Sequence, residues 1–212
     1  MKIHFEKVIP IPLQGFVSDS KVWATDYIFE SGKHYLVNAE SGKGKTTLLS
    51  VVYGLRSDYE GSIIINGKAN KANSYNDWAA LRQNKLSMMF QDLRLFPTIT
   101  SLENIILKNN LTNHYTLDDI IQMTKQLNVV SLMDRRCETL SLGQQQRIAL
   151  IRCICQPFEW LLLDEPFSHL DMGNANKCME LIMEECRKRN AGLILTSLGE
   201  YIQEGFDEKI EI

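Results

Sequence analysis

Two short stretches of this 212-residue chain carry side chains able to act on a phosphate ester. The first is Ala39-Glu40-Ser41-Gly42-Lys43-Gly44-Lys45-Thr46, followed by Thr47. It differs at one position from G-x-x-x-x-G-K-[ST], the pattern of a phosphate-binding loop. Glycines let successive backbone N–H groups turn inward and form an anion-binding nest. A helix that starts directly after them points its positive end at the same anion. In that setting Lys45 reaches the β- and γ-phosphates, the Thr46 hydroxyl is placed to hold Mg2+, and Lys43 adds positive charge. Ala39 stands where the pattern has glycine; if that position requires a positive φ, alanine costs on the order of 1 kcal/mol. The second stretch is Trp160-Leu161-Leu162-Leu163-Asp164-Glu165-Pro166. An apolar strand ending in acids places them at the carboxyl edge of a sheet, where open α/β folds bind ligands. Asp164 is then a Mg2+ ligand, directly or through water, and Glu165 polarises an attacking water. Pro166 ends the strand. The plain alternative is a strand followed by an acidic turn.

The surrounding elements must hold these groups in place. His34 to Val37 is a short apolar run that reads as a strand, and the loop follows it from Asn38 to Gly44. Leu48, Leu49, Val52 and Leu55 have helical spacing, which predicts a helix over 45–55. Residues 1–30 mix apolar stretches with turns and read as strands. Gly61 to Gly67 predicts a strand entering a tight Asn-Gly turn. Leu86 to Phe90 is a further short apolar segment, residues 98–136 are helix-rich and polar, and 141–156 form an amphipathic helix. Trp160 to Leu163 read as a strand buried on both faces of a parallel sheet. A helix over 175–189 places Cys178, Leu181, Ile182 and Cys186 on one side and Arg187, Lys188 and Arg189 in its last turn, with Asn190-Ala191-Gly192 as a stop. Leu193 to Leu195 add another buried strand. Strands alternating with helices predict an α/β domain with a helical insertion.

A third motif, Leu140-Ser141-Leu142-Gly143-Gln144-Gln145-Gln146-Arg147, resembles the L-S-G-G-Q signature of ATP-binding cassette (ABC) proteins. Gln91, in Met89-Phe90-Gln91-Asp92, resembles the family's Q-loop, and Ser168-His169-Leu170-Asp171 its D-loop. Phosphate loop, Q-loop, signature, acidic strand and D-loop occur in the family's order, so the resemblance covers nearly the whole chain. It implies a P-loop NTPase fold: a mainly parallel sheet core, an N-terminal antiparallel β part and a helical subdomain insertion. Residues 1–212 would be one ABC ATPase domain, with a RecA-like core over about 1–90 and 157–212 and the helical subdomain over about 91–156. Met89-Phe90-Gln91 and Thr100-Ser101-Leu102-Glu103-Asn104 resemble the compact cassettes of lipoprotein release, macrolide efflux or cell division.

The resemblance also implies roles. Glu165, Gln91 and Ser197 would be catalytic positions. Residues Ala39 to Thr47, with Ser141, Gly143 and Gln144, would hold ATP, and Thr46, Gln91 and Asp164 would hold Mg2+. The signature would act on ATP bound to a second cassette, in a homodimer or heterodimer. Independently of the family, Ser141-x-x-Gln144 is a capping box, so a helix starts there with its positive end at Ser141 to Gly143. Leu142 replaces the first glycine of the family's pair, and it either crowds the phosphate or packs against the partner. Leu195-Thr196-Ser197-Leu198 falls where the family has Thr-His-Asp. Ser197 thus replaces the switch histidine, and loss of such a group usually costs roughly 10²–10⁴ in rate. His169, in the D-loop, is the only histidine near the motifs; it either compensates across the dimer or is a solvated or packing histidine, the second being the plainer reading. Phe16 and Trp23 are candidates for stacking on adenine, with core packing as the alternative. Leu93-Arg94-Leu95-Phe96-Pro97 reads either as local core or as a docking groove for a helix of a membrane partner.

Composition limits the remaining classes. Lysines and arginines number 23 and acids 26, for a formal net charge of −3. This gives no support to nucleic-acid or membrane-surface binding, which usually needs a basic face. No apolar run approaches the ~18 residues of a membrane span, and the first thirty residues are too polar for a secretory signal. The expected place is cytoplasmic, peripheral to the membrane through a transmembrane permease. Cys137, Cys153, Cys155, Cys178 and Cys186 include no C-x-x-C and read as reduced structural thiols. The function expected is the ATP-binding and ATP-hydrolysing subunit of an ABC transport system. The alternative is a nucleotide-gated interaction cassette with weak or absent hydrolysis. A chromosome-maintenance ATPase is disfavoured, because no long coiled-coil insertion separates loop and signature.

Overall fold

Side chains alternate along the central strand and divide the interior in two. A computed structural model describes residues 1–15, 20–40, 42–197 and 204–212. Strand β7 (Trp160–Asp164) lies inside a five-stranded parallel sheet ordered β6-β7-β8-β3-β9. The others are β3 (His34–Asn38), β6 (Leu86–Met89), β8 (Gly192–Ser197) and β9 (Glu208–Glu211). Trp160, Leu162 and Ile194 pack on one face with α1 (Lys45–Val52) and a second sheet. Leu161, Leu163, Leu193 and Leu195 pack on the other face with helices. A strand covered on both faces needs an unbroken apolar run, and Trp160 to Leu163 supplies one. The second sheet is antiparallel and ordered β2-β1-β4-β5, with β1 (Ile3–Pro10), β2 (Asp26–Phe29), β4 (Tyr59–Ile65) and β5 (Lys68–Ala69). Asn66 and Gly67, both at positive φ, form the tight turn between β4 and β5. The fold class is as expected.

Helices α2 (Tyr75–Asn84), α3 (Ser101–Asn109), α4 (Leu117–Gln126), α5 (Leu142–Ile154) and α6 (Met172–Arg189) complete the chain. Several predicted boundaries move, each for a local reason. Helix α1 stops at Val52 rather than Leu55, because Gly54 adopts φ +73° and the Leu55 N–H folds back to the Ser50 carbonyl at 2.8 Å. That is the left-handed helix stop that glycine takes without Cβ strain. Helix α6 starts at Met172 rather than 175, because the Asp171 carboxylate accepts from the Asn174 N–H at 2.8 Å. At its other end Asn190, at φ +49°, makes the stop. Gly192 instead opens β8, where a Cβ would lie 2.5 Å from the Trp160 ring. Strand β9 was not foreseen. All five cysteines are buried and none is in a disulfide, and burial pushes the Cys155, Cys178 and Cys186 thiols up to about 12. No cluster of three or more His, Cys, Asp or Glu side chains placed to hold a metal ion occurs among the described residues.

Candidate functional site

Parallel pairing brings the carboxyl ends of β3, β7 and β8 to one edge: Asp164 pairs with Thr196, and Asn38 with Ser197. The chain leaves β3 through the glycine loop and enters α1. Gly42 and Gly44 sit at φ +83° and +105°. Ala39 is not among the residues with positive φ, so the strain feared for alanine at this position does not arise. Gly44 is also closely packed, since a Cβ there would lie 2.5 Å from Leu13 Cδ1. It is the N-cap of α1 and offers no side-chain acceptor, so the first-turn N–H groups have no capping side chain.

Lys45 is 5 % exposed. Its Nζ donates to the carbonyls of Ala39 (2.7 Å) and Glu40 (3.2 Å) and lies 3.8 Å from Glu165 Oε1. Gln91 Nε2 donates to Glu165 Oε2 at 3.3 Å. Glu165 adopts φ +48°, a left-handed backbone that costs a non-glycine residue on the order of 1 kcal/mol. Its N–H donates to the carbonyl and to the Oγ1 of Thr196, both at 3.2 Å. Burial holds the Glu165 carboxyl above its usual range; Lys45 opposes this rise and Asp164 adds to it. Asp164 is 1 % exposed and accepts from Thr196 Oγ1 at 2.8 Å. The two acids therefore differ. Asp164 is buried and hydrogen-bonded, while Glu165 projects toward the lysine and the glutamine. Thr196 was not assigned a role from sequence, although it sits between Leu195 and Ser197. Its signal was its place at the end of an apolar strand, where a hydroxyl would otherwise be out of pattern.

Thr46 is exposed and Thr47 half-buried at the first turn of α1; Ser197 ends β8 and is also half-buried. Ser41 and Phe16 lie outside the described residues. Thr46, Asp164 and Gln91 each carry a side-chain oxygen, the donor type that suits a hard cation such as Mg2+. Trp23 is not an adenine platform. It is 1 % exposed and packs on Phe5 with ring centroids 5.9 Å apart.

The signature residues form a second locus. The Ser141 N–H donates to Gln144 Oε1 at 3.0 Å and the Gln144 N–H to Ser141 Oγ at 3.3 Å, completing the capping box. Leu142 is 55 % exposed. Gly143 lies against the D-loop, where a Cβ would meet the His169 carbonyl at 2.6 Å. Gln146, also unassigned from sequence, is buried and ties the two segments together. Its Nε2 donates to Ser168 Oγ at 2.9 Å, and its Oε1 accepts from the His169 N–H at 3.0 Å. Among the described residues, no hydrogen bond or ion pair joins Ser141, Gly143 or Gln144 to the Lys45–Glu165 group.

A third feature is an open groove of 350 Å³ lined by Tyr53, Met88, Phe90, Phe96, Leu107 and Arg152. Asn104 shapes its rim by bonding both the N–H (2.9 Å) and the carbonyl (3.0 Å) of Phe96, which is 57 % exposed. The segment Leu93 to Pro97 thus does both: Leu93 and Leu95 pack in the core, while Phe96 borders the groove. No helix among the described residues is long and apolar enough to cross a membrane.

Residues 24–168 match the family model described as ABC transporter. The chain is 35 % identical over 164 residues to a thiamine import ATP-binding protein, ThiQ, of Haemophilus ducreyi, covering 76 % of this chain and 74 % of that protein. It is 30 % identical to an uncharacterized ABC transporter ATP-binding protein of Mycobacterium tuberculosis, covering 80 % and 69 %. Among solved structures, it resembles the dimeric ATP-binding cassette MJ0796 in a post-hydrolysis state bound to ADP and Pi. That match has a TM-score of 0.77 and 20 % identity, covering 93 % of this chain and 88 % of the other.

Proposed function

The chain belongs to the ABC transporter family, as the ATP-binding subunit of a transport system, and from that premise we propose how its residues divide the work. ATP is held by the loop from Ala39 to Thr47. Lys45 exchanges its two loop carbonyls for phosphate oxygens, which are stronger acceptors because they are charged. Glu165 orients and polarises the attacking water, and Gln91 positions Glu165. The observation that carries this reading is that Glu165, at the sheet edge, meets both Lys45 at 3.8 Å and Gln91 at 3.3 Å, two residues distant from it in sequence.

Thr46, Asp164 and Gln91 would hold Mg2+, which when bound neutralises phosphate charge. Asp164 is pre-positioned for this by Thr196. Ser141, Gly143 and Gln144 serve the ATP of a second cassette. The dimeric state of a solved relative supports that arrangement. Joining and parting then form a two-state element, which needs about 5.5 kcal/mol of differential binding to move from 1:99 to 99:1. The groove bordered by Phe96 takes the transmembrane permease, so the chain works at the cytoplasmic face of a membrane without entering it. The relatives named for thiamine import support an importing permease. The competing resemblance to lipoprotein-release, macrolide-export and cell-division cassettes rests on two short motifs.

Hydrolysis is slow in this reading, because Ser197 stands where an imidazole would contact the reacting groups. Steady-state ATPase of the purified chain tests both parts. Glu165→Gln should lower turnover by about 10²–10⁴ while ATP binding persists. Ser197→His should raise turnover by about tenfold or more. Wild-type turnover no higher than that of Glu165→Gln would leave the nucleotide-gated interaction reading in its place.

A further inference from the structure

One imidazole in this chain is held by a chain of hydrogen bonds that serves no purpose in the site so far described. Gln146 is 2 % exposed and both ends of its amide are occupied. The His169 N–H donates to its Oε1, which turns Nε2 toward Ser168 Oγ at 2.9 Å. Ser168 Oγ in turn lies 2.9 Å from His169 Nδ1. A hydroxyl has one proton to give, and here it has already accepted from the amide. Among the described residues its hydrogen-bond partners are Gln146 and His169 Nδ1. The arrangement in which the hydroxyl donates to Nδ1 pairs its proton within the protein and places the ring proton on Nε2. In that arrangement the exposed imidazole has a donor at its free end. A buried amide that sets the orientation of a surface histidine is costly to arrange for solvation alone.

The position of His169 says where that donor works. Its carbonyl lies so close to Gly143 that a Cβ there would approach within 2.6 Å. The His169 backbone is thus packed beside the tip of the signature helix. We propose that His169 donates its Nε2–H to a γ-phosphate oxygen of the ATP held by the second cassette, so that each chain lends the other the imidazole missing at Ser197. This rests on the paired-cassette reading above. The effect is electrostatic: a donor fixed before the reaction stabilises charge that develops on the transferring group, and the chain Gln146–Ser168–His169 removes the cost of orienting it. Gln146 and Ser168 are positioning residues, since they touch the histidine and not the nucleotide.

Titrations with mixed chains test the proposal. His169→Ala should lower turnover by about 10–100-fold, and His169→Gln, which keeps an N–H donor, should recover part of the loss. An excess of the Glu165→Gln chain is then added to the His169→Ala chain. Each mixed pair contains one intact site, with Glu165 from one chain and His169 from the other, so turnover should rise above that of His169→Ala alone. An excess of the doubly substituted Glu165→Gln, His169→Ala chain should give no rise. Equal failure of both additions to raise turnover would overturn action across the pair, as would undiminished turnover in His169→Ala. ATP-driven pairing of the Glu165→Gln chain, followed by gel filtration, keeps the two readings apart. If that chain pairs with ATP and His169→Ala is fully active, only this proposal falls. If it does not pair, the paired-cassette reading falls as well.

Discussion

Helices α1 and α5 begin in opposite ways. Ser141 opens α5 inside a complete capping box, whereas Gly44 opens α1 with no side-chain acceptor at all. Helices α2, α3 and α4 also carry full boxes, and Asp171 caps α6. A missing cap usually costs about 1 kcal/mol. α1 carries that cost at the one helix start next to Lys45 and Glu165. Its stability comes from elsewhere, from Leu48, Leu49 and Val52, which are fully buried against the parallel sheet. The contrast teaches that no side chain caps the first-turn N–H groups of α1, while the box of α5 occupies the Gln144 N–H of its first turn.

The largest expected effect falls on the uncapped side. Lys45→Ala removes a buried cation that holds two loop carbonyls and faces Glu165. A charge-assisted hydrogen bond contributes about 1.5–3 kcal/mol, so affinity for Mg-ATP should fall by about 10–150-fold in calorimetric titration. Lys43→Ala is the control. Lys43 lies on the same loop but is exposed, and its removal should change affinity only a few-fold. Equal losses from the two variants would erase the distinction between a built cation site and general positive charge.

How much of this contrast could be read from the sequence varies with the range of the interaction. The Ser141-x-x-Gln144 box was legible, because it is complete within four residues, and so was the Asn66-Gly67 turn. Parallel strands buried on both faces were legible from Leu161 to Leu163. Interactions between distant segments were not. The end of α1 is a local exception: Gly54 is a helix-stop signal in the sequence, but the apolar spacing runs on through Leu55, whose N–H in fact bonds back to Ser50. Trp23 looked like a ring available for stacking until long-range packing buried it against Phe5. Gln146 sits in a run of three glutamines, and only the fold distinguishes it, by bringing Ser168 and His169 to its amide. The pairing of Lys45 with Glu165 spans 120 positions of sequence; the two motifs were separately legible, but their 3.8 Å approach was not. Ala39 shows the reverse case, a departure from pattern that matters less than its residue type suggested, because its φ is not positive.

On the capped side the expected effect is smaller and structural. Ser141→Ala should lower stability by about 1 kcal/mol and Ser141→Gly by only a few tenths, as caps do. For a chain of this length 1 kcal/mol corresponds to a shift in Tm of about 2–4 °C by calorimetry. A larger Tm loss for glycine than for alanine would mean that Ser141 acts through backbone rigidity rather than through its Oγ bond to the Gln144 N–H. The corresponding test is not available at Gly44, where any side chain meets Leu13.

The smallest effect separates the capped helices from one another. Three boxes are closed by acids: Asp77 on α2, Glu103 on α3 and Asp119 on α4. Lys68 and the Ser74 cap bring the Asp77 carboxyl down to about 2, and the Thr100 and Thr116 caps lower Glu103 and Asp119. A carboxyl with a depressed folded value binds its proton more readily in the unfolded chain. Its stabilisation is therefore complete above the unfolded value near about 4 and is lost as pH falls through the folded value. For Asp77 that window runs from about pH 4 down to about 2. Box α5 is closed by the neutral Gln144, and α1 has no box, so neither should respond through its cap. Amide protection factors compared between about pH 6 and about pH 3 should fall first at the starts of α2, α3 and α4 and hold at the start of α5. If α5 frayed in step with α2, the loss would come from opening of the whole domain rather than from protonation of the cap acids. The acid-closed and amide-closed helix starts would then be equivalent, and only the bare start of α1 would remain distinct.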